Sequence, residues 1–261
     1  MTPAAWKITP LGAALGARVE GVDLRSLSDE AWTAVDVLFS EYLVLAFPDQ
    51  SLTPAQHVAI GEHFGDPFLH PFLTPIPEHP AILEVLKEEH EIGTFGGEHW
   101  HCDISFQSPP AAVSLLLGHE IPPIGGDTLF ANQFSAYETL SPQLQDLLEG
   151  LQAEHCYPNM AAAPTTAARH PLVRVHPVSG RKAIFVNSAF VSKIDGLADD
   201  ESDILRAMLE KRQTRTEFIT RVGWSPGQVL IWDNRATLHY AMNDYPGHRR
   251  RLQRVTAMER P

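Results

Sequence analysis

Two residues with metal-binding side chains stand two positions apart near the middle of the chain, in His101-Cys102-Asp103. On an extended strand, residues i and i+2 point to the same face with their backbones about 6.6 Å apart, so both side chains can reach one ion. Because the chain contains 13 histidines, such a pair also arises by chance. A third candidate is His239, which follows an apolar strand and the segment Asp233-Asn234-Arg235. A strand end there could bring His239 beside the first two residues.

Two imidazoles and one carboxylate on one face of an octahedron leave three coordination positions open, which is the arrangement of non-haem iron(II) oxygenases. The same donors with an open position also suit Zn(II), and the site would then belong to a hydrolase. A third interpretation is that the histidines are hydrogen-bonded or solvated and that the chain is a non-catalytic binding module. The residues alone therefore predict a metal site and leave its chemistry open.

Most of the other histidines stand in polar or turn-rich segments, where we expect them to be solvated. These are His63, His79, His90, His155, His170, His176 and His248. Cys102 lies between the two candidate ligands, so on a strand it points to the opposite face. We therefore expect Cys102 to pack inside the protein and not to bind the metal.

A run of arginines near the end of the chain indicates a second kind of site. On a strand, Arg250 and Arg254 share one face with Leu252 between them, while Arg249 and Arg251 face away. Two guanidinium groups on one face indicate a bound anion. For Arg249 and Arg251 we expect a solvated edge strand whose charges prevent aggregation.

The elements that must position these residues can be predicted in part. Four segments have apolar residues at helical spacing behind a capping residue or a proline, and the second also has the glutamine of a capping box and Gly65 as its stop. They begin at Ser28-Asp29-Glu30, Thr53-Pro54, Ser141-Pro142 and Asp199, the last running to Arg212.

Six short segments are rich in Val, Ile, Leu or aromatic residues and are bounded by turn residues, which is typical of strands. They are Tyr42 to Phe47, Ala81 to Leu86, Ala111 to Leu117, Lys182 to Val186, Gln228 to Trp232 and Arg250 to Met258. Many short strands with few helices predict a mainly β, α+β fold: an antiparallel sandwich or barrel with helices on one side. The segment from Ala161 to Ala168 is predicted to be a mobile surface loop.

The bulk composition excludes several classes of protein. A chain of 261 residues with 44% hydrophobic residues suits a single domain, for which we take residues 1–261. Its formal charge of −12 disfavours binding to nucleic acid or to an anionic membrane surface. No apolar stretch approaches the roughly 20 residues of a membrane span, and the first residues do not form a signal peptide. We expect a cytoplasmic protein whose two cysteines, Cys102 and Cys156, are reduced.

With these residues in view, the chain closely resembles the taurine dioxygenase family, which includes alkylsulfatases and phenoxyacetate dioxygenases. The matching motifs follow one another in the same order from end to end. They are Ile8-Thr9-Pro10-Leu11-Gly12, Leu15-Gly16-Ala17, Gly21-Val22-Asp23-Leu24, His63-Phe64-Gly65, Trp100-His101-Cys102-Asp103-Ile104-Ser105-Phe106, Gly125-Gly126-Asp127-Thr128-Leu129, His170-Pro171-Leu172-Val173-Arg174, Val186-Asn187, Trp232-Asp233-Asn234-Arg235, His239-Tyr240, Asp244-Tyr245, Arg250 and Arg254.

The resemblance implies a distorted double-stranded β-helix, the cupin-like jelly roll, and an enzyme that uses Fe(II), O2 and 2-oxoglutarate. It implies that His101, Asp103 and His239 bind the iron, and that Thr128 and Arg250 hold the distal carboxylate of 2-oxoglutarate. Further positions match the family's pocket: Trp232 beside the co-substrate, and His70, Leu73, Gly97, Phe106, Phe190 and Arg254 around the substrate. A homodimer or homotetramer is also expected.

Two positions depart from the pattern of members specific for taurine. Leu73 replaces a tyrosine, and Gly97 replaces an asparagine. Because a site built on hydrogen bonds discriminates strongly, the loss of two polar groups indicates a larger and more apolar substrate. The reaction expected from the resemblance is hydroxylation of a C–H bond of a small anionic molecule, such as an alkyl sulfonate, a sulfate ester or an aryloxy acid. Decarboxylation of 2-oxoglutarate to succinate would accompany it.

Overall fold

Capping side chains precede the first three of the five described helices. The computed structural model describes residues 5–71, 73–93, 97–157 and 166–260. Within these residues it contains the helices α1 (Asp29–Tyr42), α2 (Pro54–Phe64), α3 (Gln133–Glu138), α4 (Pro142–Glu149) and α5 (Asp199–Gln213). The Ser28 hydroxyl accepts from Ala31 N at 3.3 Å before α1, and Thr53 forms a capping box with Gln56 before α2. The four predicted helices are confirmed, and α3 is an addition.

The described residues also contain many short strands. They are β1 (Lys7–Pro10), β2 (Ala17–Glu20), β3 (Val44–Phe47), β4 (Asp66–Pro67), β5 (Pro75–Ile76), β6 (His79–Lys87), β7 (Ala111–Glu120), β8 (Thr128–Asn132), β9 (Gln152–Cys156), β10 (Ala167–Pro171), β11 (Val173–Val175), β12 (Lys182–Ile184), β13 (Val191–Ile194), β14 (Ile219–Val222), β15 (Val229–Asp233), β16 (Thr237–Ala241) and β17 (Arg250–Met258). All six predicted strands are present.

Two sheets carry the residues of interest. The large sheet has the strand order β1-β2-β3-β15-β7-β17-β6-β5, with β4 also paired to β17. Its pairs are antiparallel except for β2 with β3. The smaller sheet has the order β14-β8-β16 and is antiparallel. The three strands β10-β9-β13 form one separate small sheet, and the two strands β11-β12 form another. A mixed α+β fold dominated by antiparallel strands is therefore confirmed.

The alternation of side chains along the central strands separates the two faces of the large sheet. In β15, Val229 and Ile231 pack in a core with helix α1 residues such as Val35 and Leu38. Leu230 and Trp232 point the other way, into a core shared with the smaller sheet. Because neighbours on a strand alternate, helices cover one face and the smaller sheet covers the other. The face toward the smaller sheet holds the site.

Two local expectations are wrong. β17 is not an edge strand, because it pairs with β7 on one side and with β6 on the other. The predicted loop runs from Ala161 to Ala168, and its residues 161–165 lie outside the described residues. Its last two residues, Ala167 and Ala168, belong to β10. Antiparallel pairing with β9 makes Ala167 and Ala168 part of a strand, and the local composition does not show this pairing. Within the described residues, no helix has the length and apolarity that crossing a bilayer requires.

Candidate metal centre

Three side chains from two distant segments of the sequence converge at one point in the structure. One ligand atom from each of His101, Asp103 and His239 lies within 4.8 Å of the others, and all three residues are buried. His101 Nε2 is 4.0 Å from Asp103 Oδ1, and His239 Nε2 is 3.9 Å from Asp103 Oδ2. His101 and His239 form a β-bridge, with backbone hydrogen bonds of 3.0 and 2.8 Å. The predicted convergence of the distant histidine with the first pair is confirmed.

Asp103 does not lie on the extended strand that the two-residue spacing predicted. Only His101 is bridged, and residues 103–106 form a turn. Ile104 has φ of 50°, in the left-handed region that β-branched residues rarely adopt. The turn is held from outside, since His170 Nε2 lies 2.9 Å from Ser105 O and 3.1 Å from Gln107 O. Cys102 packs in a small apolar cluster, as expected, and its burial raises the pKa of its thiol to about 12.

The protonation states suit a divalent metal. Burial lowers the pKa of His101 and lowers that of His239 well below its usual value, so both imidazoles are neutral at pH 7. His101 Nδ1 lies 2.7 Å from the carbonyl oxygen of His99, so Nδ1 carries the proton and Nε2 has the free lone pair. Burial raises the pKa of Asp103, but the charge of Arg254 and the hydrogen bond from Ser114 outweigh this effect and hold that pKa below its usual range. Two neutral imidazoles and one carboxylate are a fitting donor set for Fe(II).

Both oxygens of the Asp103 carboxylate are held by neighbours. Ser114 Oγ donates to Oδ2 at 2.6 Å, and Arg254 Nη1 donates to Oδ1 at 2.8 Å. The Asn234 amide accepts from the Asp103 backbone N–H at 3.0 Å and donates to Ser114 Oγ at 2.9 Å. Ser114 and Asn234 therefore fix the orientation of the carboxylate. A local signal for this role exists, since Ser114 is a lone polar residue in the apolar stretch Ala111 to Leu117.

Removing the Ser114 hydroxyl is expected to weaken metal binding. In Ser114→Ala the carboxylate loses its fixed orientation, and we expect the Kd for Co(II) or Fe(II) to rise roughly 10- to 100-fold, the usual cost of losing an outer-shell partner. Calorimetric titration of the metal-free protein measures this Kd directly. Thr256→Val is the matched control, because Thr256 pairs with Ser114 across β7 and β17 and its hydroxyl does not bond to Asp103 among the described contacts. Equal metal affinity in wild type and Ser114→Ala would contradict the positioning role.

Two cavities meet at this centre. The first reaches His101 and His239 and is lined by Lys87, Gly97, Thr128, Trp232, Tyr245, Arg250 and Arg254, among others. The second reaches His101 and Asp103 and is lined by His70, Leu73, Phe106, Tyr157, Phe190 and Arg254, among others. Thr128, Trp232 and Arg250, predicted for the co-substrate, line the first cavity. His70, Leu73, Phe106 and Phe190, predicted for the substrate, line the second, and Arg254 borders both cavities. Gly97 borders the first cavity and not the second.

Arg250 is a buried cation in the wall of the first cavity. Arg250 is 5% exposed, and within the described part of the chain no carboxylate lies within 4.0 Å of its guanidinium group. Its Nε has no hydrogen-bond partner. The Gly126 backbone, with φ of 71°, comes so close that a Cβ there would lie 3.1 Å from Arg250 Cδ. An unpaired buried charge is costly, so this arrangement indicates a bound anion.

Arg251 in β17 and Arg249, just before that strand, behave differently from Arg250. Arg251 pairs with Glu84 at 3.3 Å and with Glu120 at 3.1 Å, and Arg249 pairs with Glu88 at 2.9 Å. The predicted division of the four arginines between two faces is confirmed. On the outer face the charges are neutralised by ion pairs across neighbouring strands, since β17 lies inside the sheet.

Thr128 and Trp232 form other parts of the first cavity's wall. The indole Nε1 of Trp224 donates to Thr128 Oγ1 at 3.1 Å, so the Thr128 hydroxyl proton remains available to an anion. The Trp232 ring centroid lies 4.9 Å from that of His239, and its Nε1 donates to Asn234 Oδ1 at 3.1 Å. Trp232 therefore supplies an apolar surface beside the metal position and helps to hold Asn234.

The second cavity has aromatic walls. The ring centroid of Phe106 lies 4.8 Å from that of Tyr157 and 5.3 Å from that of Phe190. His70 Nδ1 accepts from Leu73 N at 3.2 Å, which places the imidazole proton on Nε2. Burial, with a further contribution from the charge of Arg254, lowers the pKa of His70 to about 4, so it is neutral at pH 7. This cavity combines apolar surface with the Arg254 guanidinium.

Three of the histidines expected in solvent are buried, so that prediction is wrong for His155, His170 and His176. His155 Nδ1 lies 2.9 Å from Ser105 Oγ, and His176 Nε2 lies 2.9 Å from Asp233 Oδ2. Each satisfies a hydrogen bond that supports the segments carrying the metal ligands. Local polarity misled here because the partners are distant in sequence. His90 and His248 are exposed as expected, and His63 and His79 are partly buried.

Comparisons with known proteins agree with this geometry. The family model described as Taurine catabolism dioxygenase TauD, TfdA family matches residues 7–256. The α-ketoglutarate-dependent 2,4-dichlorophenoxyacetate dioxygenase of Cupriavidus pinatubonensis is 33% identical over 278 residues, covering 96% of each chain. The alkylsulfatase of Acinetobacter baylyi is 30% identical, covering 96% of this chain and 84% of its own. A solved taurine dioxygenase from Burkholderia xenovorans has a TM-score of 0.88 at 35% identity, covering 98% of this chain and 90% of its own.

The fold and the buried triad of two histidines and one aspartate, together with these matches, define an oxygenase dependent on a metal and on α-ketoglutarate, which is 2-oxoglutarate. The chain belongs to the TauD/TfdA family of dioxygenases. Family membership implies Fe(II) as the metal and a small molecule as the substrate. The predicted reaction class is confirmed, in preference to a zinc hydrolase or a non-catalytic binding module.

Proposed function

We propose that His101, Asp103 and His239 bind Fe(II), that Arg250 and Thr128 bind the distal carboxylate of 2-oxoglutarate in the first cavity, and that the substrate occupies the second cavity. The bound Fe(II) would supply the redox chemistry by which O2 decarboxylates 2-oxoglutarate and hydroxylates a C–H bond. The protein's own residues bind and orient both organic molecules around that ion.

The observation that carries the co-substrate assignment is the isolated charge of Arg250. Its guanidinium is buried without a carboxylate partner in the described residues, in a cavity that His101 and His239 also line. A guanidinium offers parallel N–H groups that match a carboxylate bidentately. Thr128 borders the same cavity, and its hydroxyl proton adds a third donor. A 2-oxo diacid has one carboxylate that can bind Arg250 and Thr128, and a second carboxylate with a neighbouring keto oxygen that can bind the metal.

Arg254 supports an anionic substrate. It borders both cavities, and its Nε has no hydrogen-bond partner although Nη1 donates to Asp103. A guanidinium in a low-dielectric pocket outweighs the distant, screened charges that make the whole chain negative. We propose that Arg254, with the Nε2 proton of His70, orients the acidic group of the substrate beside the metal.

The walls of the second cavity favour a substrate with an apolar body. Phe106 and Phe190 give it aromatic surface, and Leu73 supplies no hydrogen bond from its side chain. Relatives include a 2,4-dichlorophenoxyacetate dioxygenase, an alkylsulfatase and a sulfonate dioxygenase. We therefore propose an alkyl sulfonate, sulfate ester, aryloxy acid or other carboxylic acid as substrate.

Anaerobic addition of Fe(II) and 2-oxoglutarate tests the co-substrate assignment without turnover. We expect a weak visible charge-transfer band that needs both components, since 2-oxoglutarate would chelate the ion held by the three ligands. The band is measured by absorption spectroscopy after Fe(II) and 2-oxoglutarate are added to the metal-free protein. Addition of Fe(II) alone and of 2-oxoglutarate alone are the controls. No band, together with ester hydrolysis under Zn(II), would favour a hydrolase instead.

The substrate class is tested with a panel of alkyl sulfonates, sulfate esters, aryloxy acids and amino acids. Succinate released above the uncoupled background identifies the accepted class. An amino acid that outperforms every member of the other three groups would contradict the proposed anionic substrate with an apolar body.

Further proposals concern the molecule as a whole. We propose that the large sheet and the β14-β8-β16 sheet together form the distorted cupin-like jelly roll, because both contribute to one core and to the cavities between them. Residues 1–261 as a single domain, a homodimer or homotetramer, and a cytoplasmic location stay predictions. Limited proteolysis, sedimentation velocity and cell fractionation test them.

A further inference from the structure

Lys87 faces Arg250 across two neighbouring strands. It is the last residue of β6, and the antiparallel register pairs it directly with Arg250, the first residue of β17. Side chains of directly opposed residues lie on the same face of a sheet. Lys87 accordingly borders the same cavity as Arg250, Thr128 and Tyr245.

Lys87 is buried as deeply as Arg250 and also lacks a negative partner. Its residue is 3% exposed, and within the described residues no carboxylate lies within 4.0 Å of its ammonium group. Its Nζ lies 4.5 Å from the centroid of the Tyr245 ring, and the Cζ of Arg250 lies 5.9 Å from the same centroid. Two buried cations therefore share one aromatic neighbour and repel each other.

Such a pair is costly unless an anion lies between the two charges. By contrast, Arg251 on the outer face of β17 has two glutamate partners. A carboxylate has about four lone-pair directions. Arg250 can occupy two of them, the Thr128 hydroxyl a third, and a lysine ammonium the last as a point charge.

We propose that Lys87 is a second cationic ligand for the distal carboxylate of the co-substrate, and that it makes the first cavity selective for 2-oxo dicarboxylic acids over 2-oxo monocarboxylic acids. This inference rests on the proposed function, since it requires 2-oxoglutarate to occupy the cavity of Arg250. It adds a specificity-determining residue that touches the co-substrate but not the metal.

The test compares two acids of the same chain length, 2-oxoglutarate and 2-oxopentanoate, which has a methyl group in place of the distal carboxylate. Binding to the Mn(II)-loaded protein without O2 is measured by calorimetry for wild type, Lys87→Met, Lys87→Gln and Lys87→Arg. We expect the Kd of 2-oxoglutarate to rise about 10- to 100-fold in the Met and Gln variants, as for the loss of a charged hydrogen bond. The Kd of 2-oxopentanoate should change by less than about threefold, and Lys87→Arg should restore most of the preference for the diacid.

Two outcomes overturn the inference. If both acids weaken by the same factor, Lys87 only maintains the cavity through its contact with Tyr245. If neither changes, its charge does not reach the carboxylate. Thermal unfolding identifies a variant that fails to fold. If Lys87→Met or Lys87→Gln fails to fold, the other variant still provides the comparison.

Arg250→Ala separates this inference from the proposed function. A variant of Arg250 that binds 2-oxoglutarate normally would refute the co-substrate assignment itself. Loss of binding in Arg250→Ala with normal binding in Lys87→Met would refute the role of Lys87 alone.

Discussion

Replacement of His239 by alanine is expected to abolish stable metal binding and, with it, the formation of succinate. The residue supplies one of three ligand atoms that lie within 4.8 Å of each other. Only two ligands, His101 and Asp103, would remain. We expect the metal Kd to rise by more than the roughly 10- to 100-fold that the loss of an outer-shell partner costs. Calorimetric titration with Fe(II) or Co(II) under anaerobic conditions measures the change, and a succinate assay measures the loss of turnover.

The control for His239→Ala is His248→Ala, because His248 is an exposed histidine nine residues further along the chain. It should bind metal like the wild type. A His239→Ala protein that keeps both its fold and its metal affinity would remove the basis of the metal assignment.

Arg250→Ala is expected to weaken 2-oxoglutarate binding and to leave metal binding nearly unchanged. Arg250 borders the cavity that reaches His101 and His239, but it is not one of the three ligands. Truncating one partner of a buried charge pair costs about 3 to 4 kcal/mol, which corresponds to a Kd for 2-oxoglutarate about 100- to 1000-fold higher. Separate titrations with Mn(II) and then with 2-oxoglutarate resolve the two affinities.

Arg251→Ala is the matched control for Arg250→Ala, since Arg251 stands on the same strand with its side chain on the other face, paired with Glu84 and Glu120. Its loss should leave the affinity for 2-oxoglutarate within about threefold of wild type. Equal loss of metal and co-substrate in Arg250→Ala would indicate a collapsed site and would contradict the assigned role.

The elements of the fold that depend on local chemistry were predictable from the sequence. The helix at Pro54–Phe64 has its capping box and proline at its start, and β17 was predicted with its observed bounds, Arg250–Met258. The strands β8 and β16 were not predicted, although they carry Thr128 and His239. They are five residues long, and their pairing with each other stabilises them. Because each strand's partner is distant in the sequence, no local pattern identifies either strand.

The sequence by itself determined the ligand types, their order along the chain and the two-residue periodicity that puts Arg250 and Arg254 on one face. These properties follow from residue identity and from strand geometry, which are local. The tertiary structure decided which buried groups touch: Ser114 and Asn234 on Asp103, His170 on the turn at Ser105, and Lys87 opposite Arg250. Such contacts join residues from about 10 to more than 160 positions apart, and strand register sets them. Only the packed sheets fix that register.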